Sequence, residues 1–211
     1  MQIKVMQVGQ LGTNCYLLED EETRTAAVVD PGGEGARILA QLKADGMELK
    51  LILLTHAHFD HTGGVAELCA ALPGVPVYLH PADAALVGGD VFPAVGAETT
   101  PYQDGDVVKL GKMDIEVLHT PGHTPGHVAL YEPDSKSLFT GDTLFRESIG
   151  RTDLPGGDYS WIMRSILDIL LPLGDEVHVY PGHGPESTIG HEVLYNPFIV
   201  EVLNEEVNYK D

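Results

Sequence analysis

A chain of 211 residues is long enough to bury a sizeable core, and we expect one domain over residues 1–211. Its 12 Lys and Arg are outnumbered by 32 Asp and Glu, which gives a net charge of -20 at pH 7. An acidic surface repels phosphate backbones and anionic lipids, so we predict neither a nucleic-acid nor a membrane partner. The N-terminus has no signal-peptide pattern and no apolar run approaches the roughly 18 residues of a membrane span, which predicts a cytoplasmic protein.

The first half of the chain predicts an antiparallel start followed by alternating strands and helices. Strands are expected at residues 2–8, 13–19, 25–29, 50–54 and 75–79, and helices at 36–44, 65–72 and near 82–87. Residues 91–100 show no clear period, and we predict that they form a loop over the functional site.

The second half predicts more strands and fewer helices. Strands are expected at residues 106–110, 113–118, 127–131, 137–140 and 176–180, and helices at 159–171 and 193–202. Two strand-rich halves with helices outside them indicate an α/β fold.

The stretch Thr55–His61 has the sequence THAHFDH and directly follows the apolar run of the predicted strand 50–54. Imidazole nitrogens and carboxylate oxygens suit zinc, iron and manganese, and a loop that leaves a buried strand can direct several of them to one point. Surface histidines are the alternative interpretation, but three of them here have no packing role and would repel one another when protonated. The stretch therefore predicts a metal site.

Three further donors, His123, Asp142 and His183, each follow a predicted strand and each stand next to a glycine. Glycine permits tight turns and close approach of the backbone, which a crowded ligand shell requires. Each is a weak signal alone, because Gly-His and Gly-Asp also occur in ordinary turns. Together with the first cluster they predict one metal centre.

The number of donors indicates more than one metal ion. The candidates are His56, His58, Asp60, His61, His123, Asp142 and His183. A catalytic zinc typically uses three protein ligands and an open position, so we expect two divalent ions, zinc first and iron or manganese as alternatives. Asp142 is the best placed carboxylate to bridge ions about 3.5–4 Å apart with a water between them, whose pKa would fall toward about 7. A hydroxide nucleophile would then exist at neutral pH.

THxHxDH followed in order by GH, GD and GH resembles the metallo-β-lactamase superfamily over essentially the whole chain. The resemblance implies a four-layer αββα sandwich with the metals between the sheet edges. The ligands that it implies are His56, His58 and His123 for the first metal, Asp60, His61 and His183 for the second, and Asp142 as the bridge.

Within the superfamily, residues 120–127 and 141–145 resemble the hydroxyacylglutathione hydrolases, the glyoxalase II group, and residues 148–157 and 181–188 resemble its short bacterial branch. Long members hold glutathione with basic residues of a C-terminal helical domain. We do not expect that domain here, because Lys210 is the only Lys or Arg after the last candidate ligand. The resemblance implies that a metal-bridging hydroxide hydrolyses a small-molecule thioester such as S-lactoylglutathione.

Individual side chains receive roles as well. Asp60 and Asp142 are the predicted catalytic residues, and Asp60 is expected to orient the attacking water. Arg151 stands where the long members have a lysine, and it is a candidate for binding a substrate carboxylate, with a surface salt bridge as the alternative. His127 is expected to make a hydrogen bond behind the ligands. The other histidines are predicted to be turn or core residues: His80, His119, His178 and His191.

Three other functions stay open at this point. Persulfide dioxygenases resemble the same scaffold but bind one iron and oxidise glutathione persulfide, and they are the closest rival. A lactonase or β-lactamase is a further hydrolase alternative. A metal-containing binding or electron-transfer module is disfavoured, because no flavin-binding domain is recognisable in the sequence.

Overall fold

Two mixed β-sheets lie at the centre of the protein, whose computed structural model describes residues 1–89 and 91–208. The first sheet contains, in spatial order, β1 (Gln2–Val8), β2 (Thr13–Asp20), β3 (Thr25–Val29), β4 (Glu48–Leu53), β5 (Val77–Leu79) and β6 (Thr99–Pro101). The first three strands pair antiparallel, whereas β3 to β6 pair in parallel. This confirms the predicted antiparallel start and the alternation of strands and helices after it.

The strands of the second half build the other sheet. They are β7 (Val107–Leu110), β8 (Met113–His119), β9 (Val128–Glu132), β10 (Ser137–Gly141), β11 (Leu144–Phe145), β12 (Ser148–Ile149), β13 (His178–Pro181) and β14 (Ser187–Thr188). The sheet has the order β14, β13, β10, β9, β8, β7, and β11 and β12 form a separate antiparallel ribbon. Only β10 and β13 pair in parallel in the described part of this sheet.

Helices pack on the outer faces of both sheets, and one short helix, at residues 59–62, lies at the sheet edge instead. They are α1 (Gly35–Asp45), α2 (Phe59–Thr62), α3 (Val65–Ala71), α4 (Pro81–Ala84), α5 (Tyr159–Arg164), α6 (Ile189–Tyr195) and α7 (Pro197–Asn208). Among the described residues, none of these helices has the length and apolar character needed to cross a bilayer. Lys210 lies outside the described residues.

Alternation along the strands divides the apolar side chains among three clusters. On β2, Cys15 and Leu17 pack with Ile38 of α1 on the outer face of the first sheet, whereas Tyr16 and Leu18 point between the two sheets. Successive side chains of a strand point to opposite faces, so a fully buried strand feeds two cores. Burying each large apolar side chain contributes roughly 1.5–3 kcal/mol.

The third cluster lies on the outer face of the second sheet. Here Val179 of β13 packs with Ile162 of α5 and Ile189 of α6. Helices, sheet, sheet and helices therefore follow one another as four layers. The predicted αββα sandwich is confirmed.

The predicted helix 159–171 is only partly correct. Asp158 starts α5, because its Oδ1 atom accepts a hydrogen bond from the backbone N–H of Trp161 at 2.9 Å. After α5 the chain continues as a π-helix (Ser165–Leu170) and ends in a 3-10 turn. Pro172 lies in that turn and lacks the N–H that a further α-helical turn would need.

The predicted helix 193–202 is in fact two helices, α6 and α7. Asn196 separates them with an extended backbone, φ -74° and ψ 115°. The cause is Pro197, because a proline disfavours the α-helical region for the residue before it. Thr188 starts α6 by accepting a hydrogen bond from the backbone N–H of His191 at 3.1 Å.

Two predictions between β5 and β7 need correction. The helix expected near residues 82–87 ends with α4 at Ala84, and the end of the predicted loop 91–100 belongs to β6. Thr99 becomes part of a strand because it pairs with Val77 of the neighbouring strand, which no local pattern reveals. Phe92 lies in the rest of the loop, and its ring centroid is 4.7 Å from that of His58.

Candidate metal centre

The seven predicted donors meet at one edge of the sandwich, where β4, β10 and β13 end. Among the described residues, three sets of three offer ligand atoms that lie within 4.8 Å of one another within each set. Two of these sets contain only predicted donors, and the third joins Asp30 to His56 and His61. We call His56, His58 and His123 the first donor group, and Asp60, His61 and His183 the second donor group. The two sets are those that the family resemblance implies.

Asp142 lies between the two donor groups. Its Oδ2 atom is 3.6 Å from Nε2 of His123 in the first group and 3.7 Å from Nε2 of His183 in the second. Its Oδ1 atom is 3.4 Å from Nε2 of His61. A carboxylate whose oxygens face both groups has the position of a bridging ligand.

Buried polar atoms without a hydrogen-bond partner accumulate in this centre. Among the described residues they include Nε2 of His56, His58 and His61 and Oδ1 of Asp142. An unsatisfied buried polar atom costs about 1–3 kcal/mol, so several around one point indicate a bound group. Imidazole nitrogen and carboxylate oxygen are donors for zinc, iron and manganese, and these residues therefore fit metal ions.

Burial holds the histidines of the first donor group in the neutral form that binds metal. Burial lowers the pKa of His56 well below its usual value, and burial and the nearby His123 lower the pKa of His58 to about 4. Burial acts to raise the pKa of Asp142, but the charge of His61 and the other histidines outweighs burial and holds that pKa well below its usual value. Burial likewise acts to lower the pKa of His61, yet the carboxylate of Asp142 raises it. A positive charge is thus favoured beside Asp142, and a metal ion supplies one.

Asp30 is a residue of the centre that the sequence analysis missed. Its Oδ2 atom lies 2.9 Å from Nδ1 of His61 and accepts a hydrogen bond from Thr55 Oγ1 at 2.6 Å. Its Oδ1 atom accepts a hydrogen bond from the backbone N–H of Thr55 at 2.8 Å. Asp30 therefore orients His61 with Nδ1 as the donor and Nε2 directed at Asp142. Asp30 directly follows β3 and lies at the same sheet edge as the donors, and this position could have indicated its role.

His127 makes the predicted hydrogen bond behind the ligands. Its Nε2 atom accepts a hydrogen bond from the backbone N–H of Asp142 at 3.0 Å. Its Nδ1 atom lies 3.0 Å from the hydroxyl oxygens of both Thr120 and Thr143. Burial lowers the pKa of His127 well below its usual value. The ring is therefore neutral, and Nε2 can accept the hydrogen bond from the backbone N–H of Asp142.

Two glycines allow the loops to approach each other closely. A Cβ atom on Gly182 would lie 2.3 Å from Asp142 Oδ1 and 2.8 Å from a carbon of the His61 ring. Gly141 has φ +47°, and a Cβ atom there would lie 2.4 Å from Thr55 Oγ1. The glycines predicted to permit a crowded shell thus stand where larger residues would displace ligands.

The centre opens toward solvent on the side of the second donor group. Asp60 and Asp142 are each 8% exposed, and 29% of the His183 side chain is exposed, whereas His61 is fully buried. The ring of Phe145 lies beside this opening, with its centroid 6.3 Å from that of His183. A substrate would approach from this side.

Arg151 lies at the first donor group through its backbone rather than its side chain. Its carbonyl oxygen accepts a hydrogen bond from Nδ1 of His123 at 2.7 Å. Its exposed guanidinium makes two 2.7 Å hydrogen bonds to the carboxylate of Asp153. The salt bridge considered as the alternative is therefore present.

The remaining histidines lie outside the donor groups. His80 caps α4, and its ring stacks on that of His119 with centroids 4.5 Å apart. His191 lies in α6, 2.9 Å from a carboxylate oxygen of Glu147. His178 is exposed on β13, so its prediction as a turn or core residue is wrong. It occupies an outward position of an alternating strand.

The fold and the metal-binding edge are those of a known class, and the sequence matches the metallo-beta-lactamase superfamily over residues 8–183. The protein belongs to this superfamily and is a metal-dependent hydrolase. Hydroxyacylglutathione hydrolase GloC of Haemophilus influenzae is 39% identical over 210 residues, covering 94% of this chain and 98% of the relative. The probable metallo-hydrolase YqgX of Bacillus subtilis is 38% identical with the same two coverages.

Solved structures share the whole architecture. BLEG-1 B3 metallo-beta-lactamase has a TM-score of 0.84 and 37% identity, covering 94% of this chain and 99% of that one. TTHA1623 in a di-iron-bound form has a TM-score of 0.83 and 43% identity, with coverages of 92% and 99%. ETHE1 from Myxococcus xanthus has a TM-score of 0.80 and 29% identity, with coverages of 94% and 84%.

Proposed function

We propose that the protein hydrolyses a small-molecule thioester of the hydroxyacylglutathione type, such as S-lactoylglutathione, with two metal ions. The observation that carries this proposal is the position of Asp142, whose oxygens lie 3.4, 3.6 and 3.7 Å from histidine nitrogens of both donor groups. The likeness to the Haemophilus influenzae hydroxyacylglutathione hydrolase supports the choice of substrate. We propose zinc as the metal, with iron and manganese as alternatives. Of the two alternatives, iron is favoured, because TTHA1623 has a di-iron-bound form.

In this proposal the first donor group would hold one ion, the second donor group would hold the other, and Asp142 could serve both. Bound ions supply a Lewis acid for the thioester carbonyl and an acidified water at neutral pH. Burial keeps the imidazoles of His56 and His58 neutral, and the surrounding imidazoles keep Asp142 charged. At His61 and His183 the neighbouring carboxylates outweigh burial and raise the pKa, so these two rings would give up a proton when a metal ion binds.

Asp60 is proposed to orient the attacking water at the open side of the centre. Its Oδ2 atom accepts a hydrogen bond from Thr13 Oγ1 at 3.3 Å and lies 3.1 Å from Nε2 of His183. Burial acts to raise the pKa of Asp60, but the hydrogen bond from His183 and the charge of His61 lower it. The carboxylate is therefore ionised and can accept a hydrogen bond that orients the water. The departing thiolate has a pKa near about 8.5 and needs little protonation.

We propose that the Arg151 guanidinium releases the carboxylate of Asp153 and binds a substrate carboxylate in its place. Its guanidinium holds the carboxylate of Asp153 in a two-point arrangement that a substrate carboxylate could reproduce. Both partners are exposed, and pairs of this kind contribute little to stability, so exchange costs little.

A persulfide dioxygenase is the second candidate, because those enzymes resemble the same scaffold. We prefer the hydrolase because both donor groups are complete and both contain buried imidazole nitrogens without a hydrogen-bond partner, in His56 and His58 of the first group and His61 of the second. A lactonase or β-lactamase is a further alternative, and the likeness to BLEG-1 is the reason to test a β-lactam.

A substrate panel on protein of measured metal content tests the proposal. S-lactoylglutathione, nitrocefin and an acyl-homoserine lactone are compared for hydrolysis, and glutathione persulfide is tested for oxygen consumption. We expect the thioester to have the highest kcat/KM, in a protein with two ions per chain. Faster hydrolysis of nitrocefin or the lactone, or oxygen consumption by a protein with one iron per chain, would contradict the proposal.

The proposal also includes the binding partner and the cellular location of the protein. The net charge of -20 supports a small molecule, rather than nucleic acid or a membrane, as the partner. We also propose a cytoplasmic location, as expected from the sequence.

A further inference from the structure

Asp83 is a buried carboxylate that belongs to neither donor group. It joins the two loops that carry the first donor group. Asp83 lies in α4 and is fully buried. Its Oδ2 atom accepts hydrogen bonds from the backbone N–H of Ala57 and from Thr124 Oγ1, both at 2.9 Å. Its Oδ1 atom accepts a third from the backbone N–H of Gly126 at 2.7 Å. Donors from two separate loops thus meet on one side chain.

These partners stand beside ligands of the first donor group. Ala57 lies between the first two histidines of the THAHFDH stretch, and Thr124 directly follows His123. Nδ1 of His58 and Nε2 of His123 are 2.9 Å apart, although they come from different loops. The hydrogen bonds of Asp83 fix the backbone on both sides of this close approach.

A carboxylate is well suited to this position. When ionised it only accepts hydrogen bonds, so three donors can converge on it without conflict. Gly126 permits the approach, because a Cβ atom there would lie 2.8 Å from Asp83 Oδ1 and 2.5 Å from the Asp83 backbone nitrogen. The helix that carries Asp83 is itself fixed by His80, whose ring accepts a hydrogen bond from the backbone N–H of Ala82 at 3.2 Å.

The second donor group depends on other residues. Asp30 orients His61, and Asp60 lies within hydrogen-bond distance of His183. The three described partners of Asp83 belong to the loops of the first group. We propose that Asp83 is a positioning residue for the first metal position and that Asp30 serves the second. This inference rests on the donor groups of the proposed function but not on its substrate.

Replacing Asp83 by Asn tests this division. D83N keeps the shape but replaces one of the two accepting oxygens by an NH2 group, so at least one of the three hydrogen bonds is lost. We expect the first position to lose about 10–100-fold in metal affinity, the usual effect of removing a group that orients ligands, while the second keeps its affinity. The measurement is a chelator titration of the metal-loaded protein, with the metal retained per chain as readout.

NMR spectra of the cobalt(II)-substituted protein show which of the two ions is lost. Each histidine that still binds cobalt gives hyperfine-shifted signals. D83N should lose the signals of the first donor group before those of the second. D30N is the matched comparison, because it also exchanges a buried aspartate for asparagine. Asp30 contacts His61 directly but reaches His56 only through the hydroxyl of Thr55, so D30N should lose the signals of the second donor group first.

A smaller change covers the case in which D83N fails to fold. T124V removes a single hydrogen bond to Asp83 with little change of shape, and it should weaken the first position in the same selective way, by a smaller factor. Unchanged affinities in a folded D83N or T124V protein, or equal loss of both ions, would overturn the proposal. Because thioester turnover is not part of the readout, a wrong substrate assignment leaves this test unaffected.

Discussion

Asp142 is the residue on which both halves of the proposed centre depend, because its two oxygens face different histidines. Replacing it in D142A should therefore remove metal and activity together, with far less than two ions retained per chain. Removing a shared ligand also leaves facing imidazoles without their counter-charge. Metal analysis and thioester turnover on the same sample check this, and D134A, which changes an exposed aspartate, is the control. A D142A protein with both ions and full turnover would refute the bridge.

Asp60 should behave differently, because it lies on the open side and is proposed to orient water. We expect D60N to retain metal better than D142A while kcat falls by about 100-fold or more, because a misplaced water reacts that much more slowly. T13V removes only the hydrogen bond from the hydroxyl of Thr13 and should lower kcat much less. Metal content and kcat measured side by side decide the question. Loss of metal in proportion to kcat would mean that Asp60 acts only as a ligand.

The donors could be predicted from the sequence because His and Asp side by side after a buried strand have few other uses. Asp30 gave only a weak signal, its position after a strand at the same sheet edge, and Asp83, in the short helix α4, gave none. A single aspartate after a strand is common in turns, and its role depends on which N–H groups other loops bring to it. For both residues, the partners that define the role lie about 25 to 43 positions away along the chain.

At the level of secondary structure, α5 links helix formation to the metal centre. Asp158 caps this helix, and its own backbone N–H donates a hydrogen bond to the carbonyl oxygen of Gly122 at 2.8 Å. Gly122 directly precedes His123. The start of α5 therefore also supports the loop that carries a ligand of the first donor group.

Loss of this cap should destabilise the fold. We expect D158A to lower the free energy of unfolding by about 1 kcal/mol, because the side-chain hydrogen bond to the Trp161 N–H is lost. D158N should recover most of the stability, since asparagine is as good an N-cap as aspartate. Urea denaturation of the three proteins gives the values. Equal stability of D158A and the parent protein would contradict the role of the cap.

The helix boundaries show what local sequence can and cannot reveal. The break between α6 and α7 could have been predicted, because Asn196 precedes a proline. The π-helix after α5 could not, since its apolar residues Ile166 and Leu170 fit the pattern of an ordinary α-helix. Their place in the third apolar cluster depends on the packing of the second sheet.

On the scale of the whole molecule, hydrogen bonds join the two sheets at both ends of β2. Near the metal centre, the backbone N–H of Asn14 donates to the carbonyl oxygen of Gly182 at 2.8 Å. At the opposite end, Asp20 Oδ2 accepts a hydrogen bond from the backbone N–H of Lys112, in the turn between β7 and β8, at 2.8 Å. The sandwich is thus closed by polar contacts as well as by its inner core.

The contact at Asp20 should make stability depend on pH in a defined direction. The hydrogen bond from Lys112 is the main cause that lowers the pKa of Asp20 to about 2. A lowered pKa stabilises the fold at pH values above about 4, and this contribution disappears as the pH falls through about 2. D20A should therefore melt about 2–4 °C below the parent at pH 6, and the difference should shrink toward pH 2.

Melting curves of both proteins between pH 6 and pH 2 provide the test. Comparing two variants removes the background effect of the many other carboxylates that become protonated over this range. A difference that grows as the pH falls would contradict the proposed role of Asp20.

The arrangement of two strand-rich halves was predictable for the whole chain, whereas the pairing of strands far apart in sequence was not. Ser137 of β10 pairs with His178 of β13, and the apolar pattern of neither strand specifies the other as its partner. The likeness of motifs, rather than periodicity, was what implied the four layers.

The unequal burial of the two donor groups has a consequence for how metal enters and leaves. The most exposed residue of the first donor group is His58, at 4%, whereas 29% of the His183 side chain in the second donor group is exposed to water. We therefore call the position of the first donor group the inner one and that of the second donor group the outer one, and we expect the inner ion to exchange with solvent more slowly. Isotopically labelled zinc added to the loaded protein should therefore appear first at the outer position, and equal exchange of both ions would contradict this order.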